Sequence, residues 1–215
     1  MAIEILKLAL GMVSTNCYVV GDTDSGEALV IDPADNAPVI LSAAEQRGWT
    51  IKLVLATHAH FDHILAVDGV RQASGAPFLM HEKDLPTLKA LQLTGQLFGL
   101  ALPPPPEVDR FVVAGEAIAV GAIQLDVRFT PGHTPGHVSY VLDAEHVVFC
   151  GDCLFAGSIG RTDLPGGDHA LLLDSIQTQL LTLPDDFTVA SGHGELTMIG
   201  VERRGNPFLA DDDRP

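Results

Sequence analysis

The segment Thr57-His58-Ala59-His60-Phe61-Asp62-His63 sets four potential metal ligands within six positions. It follows an apolar run, 51–56, that reads as a buried strand. Such a strand delivers its last residues to the C-terminal edge of a sheet, where ligands and active sites gather in open α/β architectures. Desolvated imidazoles and carboxylates are costly without partners, so a purely structural role for all four is a poor reading. Histidine with carboxylate suits zinc, iron or manganese. The chain is expected to bind metal.

Three further candidates stand at wide separations. His133 sits in Thr130-Pro131-Gly132-His133-Thr134-Pro135-Gly136-His137, after the strand-like run 123–129. Its two Pro-Gly pairs signal a tight turn. Asp152 follows the apolar run 146–150, and His193 follows the run 188–190 inside Ser191-Gly192-His193-Gly194. Each polar residue lies at the exit of a short apolar run, beside glycine. A site along one edge of stacked sheets needs that placement.

His58-x-His60-x-Asp62-His63 with His133, Asp152 and His193 resembles the metallo-β-lactamase-fold superfamily. The resemblance runs from Asn16-Cys17-Tyr18 and Val30-Ile31-Asp32-Pro33 to Asn206-Pro207-Phe208. Within it, the segment 157–163 (Gly-Ser-Ile-Gly-Arg-Thr-Asp) and the ending Gly192-His193-Gly194…Asn206-Pro207-Phe208-Leu209 are similar to the short glyoxalase II-like (hydroxyacylglutathione hydrolase-like) metallohydrolases. The resemblance implies an αββα sandwich, two mixed β-sheets flanked by helices. It also implies two divalent ions, zinc first, with iron or manganese as substitutes. His58, His60 and His133 would hold one, Asp62, His63 and His193 the other, and Asp152 would bridge them. A bridged pair of ions lowers the pKa of water to near neutrality and polarises a carbonyl, so no serine or cysteine nucleophile is required. Asp62 would also accept a proton or orient the water.

Composition narrows the partners. The formal net charge is −16 with only 12 Lys and Arg, which disfavours a nucleic-acid substrate. No run of about eighteen apolar residues occurs, so no membrane span is expected. The start, Met1-Ala2-Ile3-Glu4, lacks the basic region of a signal peptide, which points to the cytoplasm. Cys17, Cys150 and Cys153 are an odd set, expected as reduced core thiols. Residues 1–215 are expected to form a single domain, with 210–215 as a frayed acidic tail.

Strands are expected at 3–8, 17–20, 28–31, 51–56, 77–80, 123–129, 138–142, 146–150 and 188–190, and helices at 37–47, 64–74 and 168–181. Asp168 is the expected N-cap of the last helix. The run Pro103-Pro104-Pro105-Pro106 reads as a stiff connector. Residues 91–102 read either as a packed helix end or as a mobile flap.

Several residues carry two readings. Asp32, before Pro33, either caps the turn or, by the resemblance, orients a metal-bound imidazole. Arg161 and Asp163 form a site-adjacent surface pair or offer a guanidinium to a substrate carboxylate. His81, His137, His146 and His169 are expected as surface or core residues, with His137 near enough to His133 to support it.

The expected function is hydrolysis of a small-molecule thioester, an S-acylated glutathione such as S-lactoylglutathione. Full-length glyoxalase II enzymes carry a helical C-terminal domain that grips glutathione. This sequence ends soon after His193, so a weak KM is expected. The alternative is a mononuclear iron persulfide dioxygenase on His58, His133 and Asp152, a two-His-one-carboxylate set. A β-lactamase is disfavoured, because the zinc lactamases lack a bridging aspartate at the position of Asp152.

Overall fold

The computed structural model describes residues 3–209. The acidic tail expected at 210–215 lies outside them. Strands β1 (Ile3–Leu10), β2 (Thr15–Asp22) and β3 (Glu27–Ile31) form an antiparallel meander. The chain crosses through α1 (Ala37–Glu45) to β4 (Thr50–Leu55), which pairs parallel to β3. Two short helices, α2 (Phe61–Ile64) and α3 (Val67–Ser74), lead to β5 (Phe78–His81), parallel to β4. Helices α4 (Leu85–Lys89) and α5 (Leu91–Leu97) then precede β6 (Arg110–Val112), parallel to β5. These strands form one six-stranded sheet in sequence order. Each parallel step needs a crossover, and a helix supplies it.

The second sheet begins with three antiparallel steps: β7 (Ala117–Val120), β8 (Ile123–Phe129), β9 (Val138–Leu142) and β10 (Val147–Gly151). A small hairpin follows, β11 (Leu154–Phe155) and β12 (Ser158–Ile159). Helix α6 (His169–Ser175) runs into a π-helical turn over Ile176–Leu180. Strand β13 (Thr188–Ser191) pairs parallel to β10, β14 (Thr197–Met198) antiparallel to β13, and α7 (Ile199–Gly205) ends the fold. The sheet order is β14-β13-β10-β9-β8-β7.

The two-residue period of the strands builds three layers of core. Tyr18, Val20, Leu29 and Ile31 point between the sheets and meet Ile123, Leu125, Tyr140 and Phe149. Their neighbours Cys17, Val19, Ala28 and Val30 point outward and pack with Ile40 of α1 and Val67 and Val70 of α3. On the far side, Val148, Cys150 and Val189 pack with Leu172, Ile176 and Ile199. The architecture is the expected αββα sandwich of two mixed sheets flanked by helices. Both faces of β2, β3, β9 and β10 are covered, so these strands read in sequence as apolar runs, whereas β8 alternates buried and exposed residues.

Three helical expectations need correction. The helix expected at 64–74 is two helices, because the Ala66 amide donates to the Pro33 carbonyl at 2.9 Å instead of continuing the ladder. The 37–47 helix stops at Glu45, and the Trp49 amide closes its end on the Ala44 carbonyl at 2.9 Å. The 168–181 helix becomes π-helical after Ser175, with the Leu181 amide reaching back to Ile176 at 2.8 Å. Asp168 caps it as expected, its carboxylate accepting from the Leu171 amide at 3.0 Å. Residues 91–97 form a helix with Leu91 and Gly95 buried and Leu93 and Leu97 exposed, and residues 103–106 lie in a stretch without regular structure. Among the described residues no helix is long and apolar enough to cross a membrane.

A buried hydroxyl below the site also ties the sheets. Tyr140, fully buried in β9, donates to the Ala56 carbonyl at 2.8 Å. Tyr140→Phe removes that bond without changing the packing. A loss of about 1 kcal/mol in unfolding free energy is expected, read as a lower urea midpoint at unchanged slope.

Candidate metal centre

The ends of five strands converge along one edge of the sandwich. β3 delivers Asp32, β4 the segment 57–63, β8 the turn with His133, β10 Asp152, and β13 the turn with His193. The seven ligands expected from sequence come together there. Ligand atoms of His58, His60 and His133 lie within 4.8 Å of one another, as do those of Asp62, His63 and His193, and those of His58, His63 and Asp152. Gly192 is required at this edge, because a Cβ there would strike the Asp152 carboxylate.

Hydrogen bonds fix the tautomers of these rings. Thr57 Oγ1 donates to Asp32 Oδ2 at 2.8 Å, so it accepts from His58 Nδ1 at 3.1 Å. His133 Nδ1 donates to the Arg161 carbonyl at 2.7 Å. His63 Nδ1 donates to Asp32 Oδ2 at 2.9 Å. Each outer nitrogen therefore carries a proton, and in the neutral ring the inner Nε2 presents a lone pair. His58 Nε2 and His133 Nε2 both face His60 Nδ1, at 3.1 and 2.9 Å. One proton on His60 can serve only one of them. Such converging lone pairs suit a cation better than one another.

Asp152 lies between the two groups. Its Oδ2 is 3.6 Å from His133 Nε2 and 3.5 Å from His193 Nε2, and its Oδ1 is 3.4 Å from His63 Nε2. Asp62 Oδ2 lies 3.3 Å from His193 Nε2 and 3.6 Å from His63 Nε2. His63 Nε2 and Asp152 Oδ1 are buried and make no hydrogen bond of normal geometry. Each is a ligand atom of a type that divalent zinc, iron and manganese accept. The donor set fits two such ions, one at each histidine group.

The two groups differ in charge. Burial and then the neighbouring His63, His60 and His133 push His58 well below the usual imidazole range. Burial, followed by His133, pushes His60 down to about 3. Burial also opposes charge on His63, but Asp152, Asp62 and Asp32 outweigh it and hold His63 well above its ordinary value. His193 resists burial through its bonds to Asp152 and Asp62 and rises to about 9. Burial would raise Asp62 and Asp152, but His63 and His193 hold both below the carboxylate range.

A proton-release asymmetry follows. At pH 7 the metal-free chain carries a second ring proton on His63 and His193 that a metal must displace, whereas His58 and His60 are neutral rings with one N–H each. Metal affinity at the Asp62–His63–His193 group is expected to fall about tenfold per displaced proton for each pH unit of acidification. Stability of the metal-free chain runs the other way. The raised pKa of His193 contributes stability that is full below its ordinary value and lost as pH rises through about 9. Calorimetric metal titration in buffers of different ionisation enthalpy measures both steps. Equal proton release at the two steps would contradict this electrostatic account.

Asp32 settles toward the orienting reading. It is buried, adopts φ +52°, and accepts from the Thr57 amide at 2.7 Å, from Thr57 Oγ1 and from His63 Nδ1. The Arg161 guanidinium forks onto Asp163 at 2.7 Å through both contacts, on the surface. What reaches the site is the Arg161 carbonyl. His137 is buried behind the site, its ring stacked 5.1 Å from His58 and its Nδ1 on Thr130 Oγ1. His81 stacks on Phe129 and His146 on Phe187, while His169 is exposed at the start of α6. Cys17, Cys150 and Cys153 are free, fully buried thiols, and burial pushes Cys150 up to about 12.

Four supporting residues carry no expectation from sequence. Thr15 Oγ1 donates to Asp62 Oδ2 at 2.8 Å. Asn16, quoted above only as part of a motif, donates through Nδ2 to the Ser191 and Gly194 carbonyls and holds the His193 turn. Thr57 couples Asp32 to His58, and Asp84 binds two of the loops. Only Thr57 had a visible signal, its position directly before His58.

Residues 10–193 match the family model described as the Metallo-beta-lactamase superfamily. Hydroxyacylglutathione hydrolase GloC of Haemophilus influenzae is 38% identical over 201 residues, covering 90% of this chain and 92% of its own. The crystal structure of BLEG-1 B3 metallo-β-lactamase superposes with a TM-score of 0.90 at 42% identity, covering 96% of this chain and 99% of that one. TTHA1623, solved in a di-iron-bound form, gives 0.86 at 38% identity, covering 95% and 100%. The chain belongs to the metallo-β-lactamase superfamily of metal-dependent hydrolases.

Proposed function

We propose that this superfamily member hydrolyses thioesters, with S-acylglutathiones such as S-lactoylglutathione as the substrate class. Its centre takes two divalent ions, zinc by preference. His58, His60 and His133 would hold one, Asp62, His63 and His193 would hold the other, and Asp152 would be shared. One observation carries this reading: the Asp152 carboxylate lies 3.4 to 3.6 Å from nitrogens of both groups. A mononuclear iron centre on His58, His133 and Asp152 would leave the inward-facing group of Asp62, His63 and His193 without a task. The di-iron form of TTHA1623 keeps iron as a competitor to zinc.

When bound, the two ions supply a water of near-neutral pKa and an electrophile for the carbonyl oxygen. The residues of this chain do the rest. Asp32 holds the His63 ring, and the Arg161 carbonyl holds the His133 ring, so their Nε2 atoms stay inward. Thr15 donates to Asp62 Oδ2 and holds that carboxylate, which would accept a hydrogen bond from the attacking water. Both site carboxylates would be bound to the ions, so neither would be a free proton donor to a leaving group. A thiolate leaves without a proton near neutral pH, whereas an amine does not. That difference favours thioesters over amides and lactams.

The name of GloC supports an acylglutathione substrate, and the name of BLEG-1 supports a second reading, β-lactam hydrolysis. One panel separates them. Zinc-loaded protein is assayed on S-lactoylglutathione and on a chromogenic cephalosporin, and iron-loaded protein on glutathione persulfide with an oxygen electrode. The thioester is expected to exceed the cephalosporin in kcat/KM by about 100-fold or more, the factor expected where a leaving group needs general-acid help that is missing. Faster cephalosporin hydrolysis would favour the lactamase reading. Rapid oxygen uptake without thioester cleavage would favour the dioxygenase.

A further inference from the structure

Asp84 lies in the turn between β5 and α4, remote in sequence from every ligand, and is fully buried. Its carboxylate accepts three hydrogen bonds, and all three come from loops that carry ligands. The Ala59 amide, between His58 and His60, donates to Oδ2 at 2.8 Å. Thr134 Oγ1, next to His133, donates to the same oxygen at 2.9 Å. The Gly136 amide donates to Oδ1 at 2.6 Å. Gly136 permits this approach, because a Cβ there would strike the Asp84 backbone nitrogen. One side chain thus joins the loop after β4 in the first sheet to the loop after β8 in the second.

The other ligand group has different anchors. Thr15 holds Asp62, Asp32 holds His63, and Asn16 with Tyr18 holds the turn of His193. Asp84 makes no hydrogen bond to any of these. We propose that Asp84 is a positioning residue that pre-assembles the His58–His60–His133 pocket, so that the metal affinity of this pocket, and not that of the Asp62–His63–His193 pocket, depends on it. This inference rests on the reading that both groups hold metal.

The physical basis is the cost of order. Two loops from different sheets must be brought together before three imidazoles can meet one ion. In the native chain the Asp84 carboxylate does this before metal arrives, so binding bears less of the ordering cost. Asparagine is the informative replacement because it keeps the shape. Both Asp84 oxygens accept from backbone amides, and only one atom of an asparagine amide can accept. Either orientation sets an NH2 group against an N–H. The Thr134 hydroxyl can reverse its role, but the two backbone amides cannot.

Zinc affinity of each pocket is isolated by crippling the other, using competition with a chromophoric chelator. Asp84→Asn is expected to weaken zinc by about tenfold or more in a His193→Ala background, the usual effect of removing a support behind metal ligands. In a His60→Ala background the same change is expected to stay within about twofold, as for an independent site. A residue that merely stabilised the fold would not separate the two backgrounds. Equal weakening in both, or none in either, would overturn the inference while leaving the two-metal reading intact. No zinc binding in either parent background would overturn both. If Asp84→Asn does not fold, Thr134→Val removes one of the three bonds, and a smaller loss confined to the His193→Ala background is then expected. No such loss would overturn the inference.

Discussion

Asp152→Ala is expected to strip at least one metal from the folded chain and to lower kcat/KM by about three orders of magnitude or more. Among the described residues, Asp152 is the one carboxylate within 3.6 Å of nitrogens in both groups, so its loss removes a shared ligand and a compensating charge. The core layers do not include it, and the far-ultraviolet spectrum should be unchanged. Asp152 also contributes most among the charges that raise His63, so the variant's metal-free form should lose the His63 proton at lower pH. Metal analysis, activity and an NMR titration of the imidazoles read the three effects. Full metal content with full activity would show that Asp152 does not bridge.

Asp32→Ala is expected to be the most destabilising change behind the site. Asp32 offsets the raised His63 and accepts from the Thr57 amide and hydroxyl, all in buried surroundings. Removing one partner of a buried pair costs about 3–5 kcal/mol. Metal affinity should fall about 10- to 100-fold as His63 and His58 lose their orientation. The position also has φ +52°, a left-handed conformation that an alanine tolerates poorly. Asp32→Gly separates the two causes. It relieves the backbone and still lacks the carboxylate, so it should remain nearly as damaged as the alanine variant. Recovery toward wild type in Asp32→Gly would show that backbone conformation, not the carboxylate, dominates.

The ligands were legible in sequence because each lies just past the end of a strand; β8 alternates buried and exposed residues, whereas β10 and β13 are buried on both faces. Such strands read as apolar runs, and a polar residue beside glycine at the end of one stands out. The sheets were legible for the same reason. The supports were not. Thr15 acts on a residue 47 positions away, and Asp84 on residues 25 to 52 positions away. A threonine or aspartate in a loop carries no mark of such a bond. Arg161 drew attention to its guanidinium, while the group that reaches His133 is its carbonyl, a function any residue type could serve. Short elements such as β6, β7 and α7 were missed because three to seven residues show too little periodicity. The break between α2 and α3 depends on a single bond from Ala66 to Pro33, set by tertiary contact rather than local propensity.

The central claim is a shared two-metal centre, and anomalous diffraction from zinc-saturated crystals tests it most directly. Two peaks per chain are expected, about 3.5–4 Å apart. One should lie among His58, His60 and His133, the other among Asp62, His63 and His193, with Asp152 between them. A single peak at saturation, or a second peak outside the Asp62–His63–His193 group, would contradict the account.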